Sequence, residues 1–177
     1  MGTYTELNIG VRLRHDTPTK VIDILRYMLN EENAVKPDIL PDHALFNTQR
    51  WHFMLVSDSS YFDGRTDSSM EFSGSVYELN VRCNLKNYDD EIIKFLDFIS
   101  PYIKYEGFIG YTRWEYIEDP TLIYKEGGRI KFKVPDYSME EEHGYVIYRP
   151  DGYAILYPDP VRPDDVLEIR WEEPNNE

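Results

Sequence analysis

Thr5-Glu6-Leu7-Asn8-Ile9-Gly10-Val11-Arg12-Leu13-Arg14 decides the fold, because the chain writes most of it, and the helix-like run that follows, a second time. Glu6-Leu7-Asn8-Ile9 returns 72 positions on as Glu78-Leu79-Asn80-Val81, and Leu13-Arg14 returns as Leu85-Lys86. Val21-Ile22-Asp23-Ile24-Leu25-Arg26-Tyr27-Met28 is matched 71 positions on by Ile92-Ile93-Lys94-Phe95-Leu96-Asp97-Phe98-Ile99, so the second copy has lost one residue in its turn. The first part of each copy alternates as a half-buried strand does. Thr5, Leu7, Ile9, Val11 and Leu13 face one way in the first copy, and Tyr77, Leu79, Val81, Cys83 and Leu85 do so in the second. The second part has apolar residues at helical spacing, with Leu25 and Leu96 as equivalent positions of the stripe.

A strand-turn-helix unit used twice, each copy followed by another strand-like run, predicts an α+β fold. Its layout is the ferredoxin-like βαβ-βαβ repeat, with two helices on one face of an antiparallel sheet. Trp51–Val56 and Phe108–Ile117 are the expected second and fourth strands. In that layout the first and third strands are neighbours, and the two Glu-Leu-Asn copies are expected side by side. Glu6, Asn8, Arg12, Glu78, Asn80 and Arg82 then form a polar face away from the helices, with His52 of the expected second strand near them. The repetition of polar residues there predicts that this face is covered, by C-terminal hairpins or by a partner subunit.

After residue 118 the pattern changes to hairpins. Thr121–Lys125 and Arg129–Val134 flank Glu126-Gly127-Gly128; Tyr145–Arg149 and Tyr153–Tyr157 flank Pro150-Asp151-Gly152; Val166–Trp171 is a further strand candidate. Residues 1–118 therefore read as the ferredoxin-like domain and 119–177 as an acidic all-β extension packed on it. The alternatives of lengthening the first sheet and of lying across it both stay open. Such an extension is too small for independent stability, so truncation after Glu118 should expose apolar surface.

Charge is unevenly placed. The chain carries −14, of which twelve acids against three arginines from Asp136 onward account for −9. Glu140, Glu141, Glu142, Asp164, Asp165 and Glu168 form the candidate acidic surface. Such a balance opposes phosphate backbones and anionic lipid and favours basic protein partners. Fifteen tyrosines suit half-buried strands or a contact surface. The single cysteine, Cys83, sits at an inward position, which predicts a small core residue. With no disulfide within one chain, no long apolar run and no signal-like start, the sequence reads as a cytoplasmic protein without membrane contact.

Gly2-Thr3-Tyr4-Thr5-Glu6-Leu7, Asp16-Thr17-Pro18 before Val21-Ile22, Ser59-Ser60-Tyr61-Phe62 and Lys86-Asn87-Tyr88-Asp89-x-Glu91-Ile92 resemble a family of small uncharacterised proteins of bacteriophages and prophages. The likeness covers roughly the first 120 residues. It implies a phage setting and assigns no activity and no site residue.

No motif for catalysis, cofactor or metal stands out. His15, His43, His52 and His143 lack a second histidine at helical spacing and no cysteine pair is available, which argues against zinc. The calcium-loop pattern fails around Asp63-Gly64, where Tyr61 and Ser59 occupy ligand positions and Met70 stands in place of the bidentate glutamate. Phe72-Ser73-Gly74-Ser75 is a turn without a nucleophile elbow, and Gly127-Gly128 lacks the lysine and helix of a phosphate loop. The outward residues of the two repeated strands include no aromatic ring, which with the charge argues against direct nucleic-acid binding. The reading that ranks first is a non-enzymatic interaction protein, a phage accessory factor meeting a basic host protein through its acidic surface, with a homo-oligomer left open. The second is a small-ligand or enzymatic site in which Glu6 and Glu78 pair as carboxylates beside Arg12, Arg82 and His52. Cross-strand salt bridging is the plainer account of those same charges.

Overall fold

The computed structural model describes residues 4–117 and 119–133 and the backbone of the strand pair 145–149 and 152–156. Its elements run β1 (Tyr4–Arg12), α1 (Thr19–Met28), β2 (Ser69–Ser73), β3 (Val76–Lys86), α2 (Glu91–Ile99), β4 (Gly107–Trp114), β5 (Thr121–Glu126), β6 (Arg129–Lys133), β7 (Tyr145–Arg149) and β8 (Gly152–Leu156), with three short 3-10 turns between them. The fold is α+β. Six strands form one open antiparallel sheet in the order β2-β3-β1-β4-β5-β6, and β7 and β8 pair with each other.

Alternation in the two repeated strands has the packing consequence it should. Leu7, Ile9, Val11 and Leu13 of the first copy and Leu79, Val81, Cys83 and Leu85 of the second enter one core with Val21, Ile22, Ile24, Leu25 and Met28 of α1 and Ile92, Phe95, Leu96, Phe98 and Ile99 of α2. Burial pushes the Cys83 thiol far above its ordinary range, so it is an inert part of that core. Pro18 takes the position before the first turn of α1, while Thr17 turns its hydroxyl back to the Arg14 carbonyl instead of capping the helix. The helix ends as Asn30 enters the left-handed region at φ 52°. In front of α2 the Asn87 side chain accepts from the Ile92 N–H, 3.0 Å away, and Asp90 takes a left-handed φ of 55°.

The expected second strand is displaced. Trp51–Val56 is a turn and a 3-10 segment, and the strand beside β3 is Ser69–Ser73. Trp51, Met54 and Leu55 are all buried, at spacings of three and four that belong to a helical turn; a strand would have buried alternate residues. Trp51 packs on Tyr27 of α1 and on Phe46, which in turn meets Phe98 of α2, so the long connection is tied to both helices.

The register corrects a second expectation. β1 and β3 are antiparallel, with Glu6 opposite Asn84, Asn8 opposite Arg82, Gly10 opposite Asn80 and Arg12 opposite Glu78. The two Glu-Leu-Asn copies are thus not side by side. Antiparallel pairing sends equivalent residues toward opposite ends, and Glu6 and Glu78 are separated by about 20 Å at the rise of a strand.

β5 pairs with β4 and β6 with β5, so the first hairpin after residue 118 lengthens the sheet. Gly127 and Gly128 make its turn with φ of 59° and 77°, which matches the right-handed twist of the strands it joins. Lys125, on the core side, is buried and donates to the Ile103 carbonyl at 2.7 Å. The further strand expected at 166–171 and the acidic residues Glu140, Glu141, Glu142, Asp164, Asp165 and Glu168 lie outside the described residues.

Candidate functional site: the polar face of the sheet

The face opposite the helices carries Glu6, Asn8 and Arg12 of β1, Glu78, Asn80, Arg82 and Asn84 of β3, and Tyr111 and Arg113 of β4. At one end of this face Glu6 is 2% exposed, the reverse of the solvated position that alternation assigns it. Its carboxylate lies between two guanidiniums, Arg82 Nε at 3.5 Å from Oε1 and Arg113 Nη2 at 3.1 Å from Oε2. The Arg113 contact is an ion pair without hydrogen-bond alignment, since Oε2 accepts no aligned hydrogen bond from the protein. A buried carboxylate costs several kcal/mol to desolvate unless it is compensated, and two cations provide that compensation here.

The cover over this end is the segment from Ser57 to Ser68. Asn84, itself buried, donates its side-chain N–H to Asp58 Oδ1 at 3.0 Å and its backbone N–H to the Ser57 carbonyl at 3.1 Å. The Asp67 N–H reaches the Arg82 carbonyl at 3.0 Å, and Arg82 Nη2 donates to the Asp63 carbonyl at 2.9 Å. Phe62 is buried beneath the Arg113 guanidinium, 5.1 Å from its ring centre, and Tyr61 stacks on Tyr4 at 4.8 Å. Gly64 has φ +96°, and a Cβ there would come within 2.6 Å of Arg82 Nη2. Glycine therefore meets both the turn and the close approach. The Thr66 hydroxyl first, and then the Asn84 amide, hold the Asp58 carboxyl below its usual range.

Covering was expected, but from the C-terminal hairpins or a partner subunit; the cover found here comes from a segment that the sequence reading weighed as a calcium loop and did not place on the sheet. A buried aromatic in a run of Ser, Asp and Gly, followed two residues later by glycine, was the available signal for its packing.

The other end of the face is open. Arg12 Nε meets Glu78 Oε1 at 2.8 Å in an exposed pair, and Asn80 is exposed above Gly10. Between the two ends, Asn8 Nδ2 donates to the Tyr111 hydroxyl at 3.1 Å. His52 is away from the face, in the turn between Trp51 and Phe53, with its ring against both of theirs. The structure thus joins Glu6 with Arg82, Arg12 with Glu78, and Asn8 with Tyr111. It adds Arg113, Asn84 and Asp58, which the sequence reading missed as site residues, and leaves His52 out.

Chemically this arrangement holds charge in place. Glu6 and Glu78 are too far apart to share a proton, the only thiol is buried on the opposite side, and each charged pair on the face is spent on a neighbour. Among the described residues the other deeply buried carboxylate, Glu91, is bound by Arg50 Nη2 at 2.6 Å at the start of α2. Among the described residues no group of three or more His, Cys, Asp or Glu side chains is placed to hold a metal ion, and no helix is long and apolar enough to cross a membrane. An open groove of about 780 Å³ runs elsewhere, between the outer side of α1 and the connection after it, past Lys20, Asp23, Arg26, Val35 and Ile39. The chain matches no family model, no curated protein and no solved structure.

Proposed function

We propose that this chain is a non-enzymatic interaction module that engages a basic protein partner through its acidic C-terminal part, as a phage accessory protein meeting a host protein in the cytoplasm. The observation that carries the reading is the partition of charge, −9 after Val134 against −5 for the longer part before it. Concentrated negative charge steers a basic partner and sets the orientation of encounter. The internal pairing of Glu6, Glu78, Glu91 and their arginines supports the non-enzymatic side of the reading, because none of these groups is left poised for acid-base work. We also read β1-α1-β2-β3-α2-β4 as a ferredoxin-like unit, from the strand order β2-β3-β1-β4 and the repeated strand-helix pair, with β5 and β6 as its extension. That architecture serves many functions and adds no activity of its own.

The test uses the full chain as bait for bacterial proteins at low and high salt, beside the Glu140→Lys, Glu141→Lys, Glu142→Lys triple variant. A basic protein retained at low salt, released at high salt and lost with the variant is the expected result. Capture that ignores both salt and charge reversal, or no capture, overturns the reading. Sedimentation of the bait alone reports whether one copy or more presents the surface.

A further inference from the structure

The sheet has two outer edges, and they complement each other. β2 on one side and β6 on the other each run five residues, and among the described residues neither has a neighbour on its outer side. Such an edge offers unpaired backbone N–H and C=O groups to any strand that can approach. β2 has none of the lysine, proline or bulge that blunts an edge: it reads Ser69-Met70-Glu71-Phe72-Ser73 in unbroken register with β3. Met70 and Phe72, opposite Leu79 and Tyr77, are on the helix side, and Phe72 is 61% exposed with its ring 5.0 Å from that of Tyr77. Glu71 is on the polar face opposite Glu78, which takes Arg12 as its partner; among the described residues no cation meets Glu71. β6 repeats the pattern with the opposite charge. Ile130 and Phe132 are on the helix side, in or against the core. Arg129, Lys131 and Lys133 are on the polar face, where Lys131 and Lys133 share Glu126 at 3.3 Å each and Arg129 faces the same Glu126 in register. Three cations against that one carboxylate leave an excess of positive charge along β6.

Every pairing from β2 across to β6 is antiparallel, and five such steps make β2 and β6 run in opposite directions. A second copy set beside the first, with its helices on the same side, therefore brings its β6 antiparallel to β2. With Glu71 opposite Lys131, Phe72 meets Ile130 and Met70 meets Phe132 on the helix side, while Ser69 and Ser73 meet Lys133 and Arg129 on the polar face. Like edges centred in the same way are opposed: β2 on β2 sets Glu71 on Glu71, and β6 on β6 sets Lys131 on Lys131. The −14 of the whole chain repels other copies at long range. At physiological salt that repulsion is screened beyond about 8 Å, and facing side chains of paired strands stand closer than this. We propose that the outer edge of β2 is a docking site for β6 of a second copy, so that copies join head to tail in one continuous sheet. Sheets twist by about −20 to −25° per strand, so each added copy turns about the line of stacking and the contact repeats in an open series. This goes beyond the charge-based reading above and does not depend on it.

The experiment uses the purified full chain, sedimented over a range of concentration. Its weight-average mass should climb past twice 21.0 kDa and go on rising. Glu71→Lys and Lys131→Glu, each alone, should return the chain to a monomer. An equal mixture of the two variants should restore the growth, because each edge then meets an opposite charge again. An unchanged near-ultraviolet circular dichroism spectrum is the control for folding. Cross-linking gives a second readout, in a chain carrying both Glu71→Cys and Lys131→Cys. Within one copy, five strand spacings set these positions roughly 24 Å apart, beyond the reach of a disulfide. Across the proposed contact their Cα atoms are about 4.5 to 5.5 Å apart, within that reach. Cys83 is buried and stays out of the reaction. Oxidation should therefore produce a ladder of covalent multimers. A monomer at every concentration with no ladder overturns the proposal. So does a mass that stops at the dimer, or a Glu71→Cys chain that cross-links as fast as the double variant, since these would set like edges together. No partner protein is present, so this result and the capture test above fail separately.

Discussion

Glu6 and Glu78 hold the same place in the repeat and live in opposite surroundings. Glu6 is buried beneath the Ser57–Ser68 segment between Arg82 and Arg113; Glu78 has a 35% exposed side chain, paired with Arg12 on one side and opposite Glu71 of β2 on the other. Asn8 and Asn80 differ in the same sense, one bonded to Tyr111 and the other exposed. The apolar members of the two copies show no such split: Leu25 and Leu96 are equally buried in one core. Duplication therefore reproduces what depends on local periodicity, while the chemistry of each polar residue is set by what the rest of the chain lays over it.

The largest effect tests the shared half of this comparison. Leu25→Ala and Leu96→Ala should each cost about 2 to 5 kcal/mol in chemical denaturation, because both leave cavities in a closely packed core. Losses under about 0.5 kcal/mol at both sites would dissolve the equivalence of the copies.

Next comes the pair that should differ. Glu6→Gln leaves Arg82 and Arg113 without their shared counter-charge and should lower stability by about 1 to 3 kcal/mol, the range for stranding a partner that is partly screened by water. Glu78→Gln breaks an exposed pair and should cost at most about 1 kcal/mol. Equal losses at the two positions would mean that the cover over Glu6 contributes nothing. The amides sharpen the point at smaller scale, with Asn8→Ala near 1 kcal/mol and Asn80→Ala within about 0.5 kcal/mol.

The smallest effect is a pH dependence confined to the cover. Asp58 titrates below its ordinary range when folded, so its contribution is present above the unfolded carboxylate value near 3.9 and is lost as pH falls through the lower folded value. Protection of the amides of residues 58–67, taken relative to their intrinsic exchange rates, should therefore fall below about pH 4, more steeply than in an Asp58→Asn variant. Identical profiles in the two proteins would show that Asp58 does not hold the segment down.

The helices, the two repeated strands and the core could be read from residues two to four positions apart, because periodicity is a local property. The hairpin at Gly127-Gly128 was equally plain. Strand β2 was misplaced because Trp51, His52 and Phe53 suggest a strand by residue type, whereas the spacing of Trp51, Met54 and Leu55 is that of a turn of helix. The site was half visible: alternation put Glu6, Asn8 and Arg82 on one face. Burial of Glu6 depends on Arg113, more than a hundred residues away, and on a segment with no period at all. Charge type alone does not reveal such a partner.

The register of β1 and β3 carries one more consequence. Ile9 and Val81 are equivalents in the repeat and also direct partners across the strands, so an approximate two-fold axis passes between them. Each copy therefore meets the other as one subunit meets its twin in an isologous dimer, with residues near the axis touching their own counterparts and residues far from it touching unlike ones. Substitutions at Ile9 and Val81 should be energetically coupled, and those at Glu6 and Glu78 independent, although both pairs are equally related by sequence.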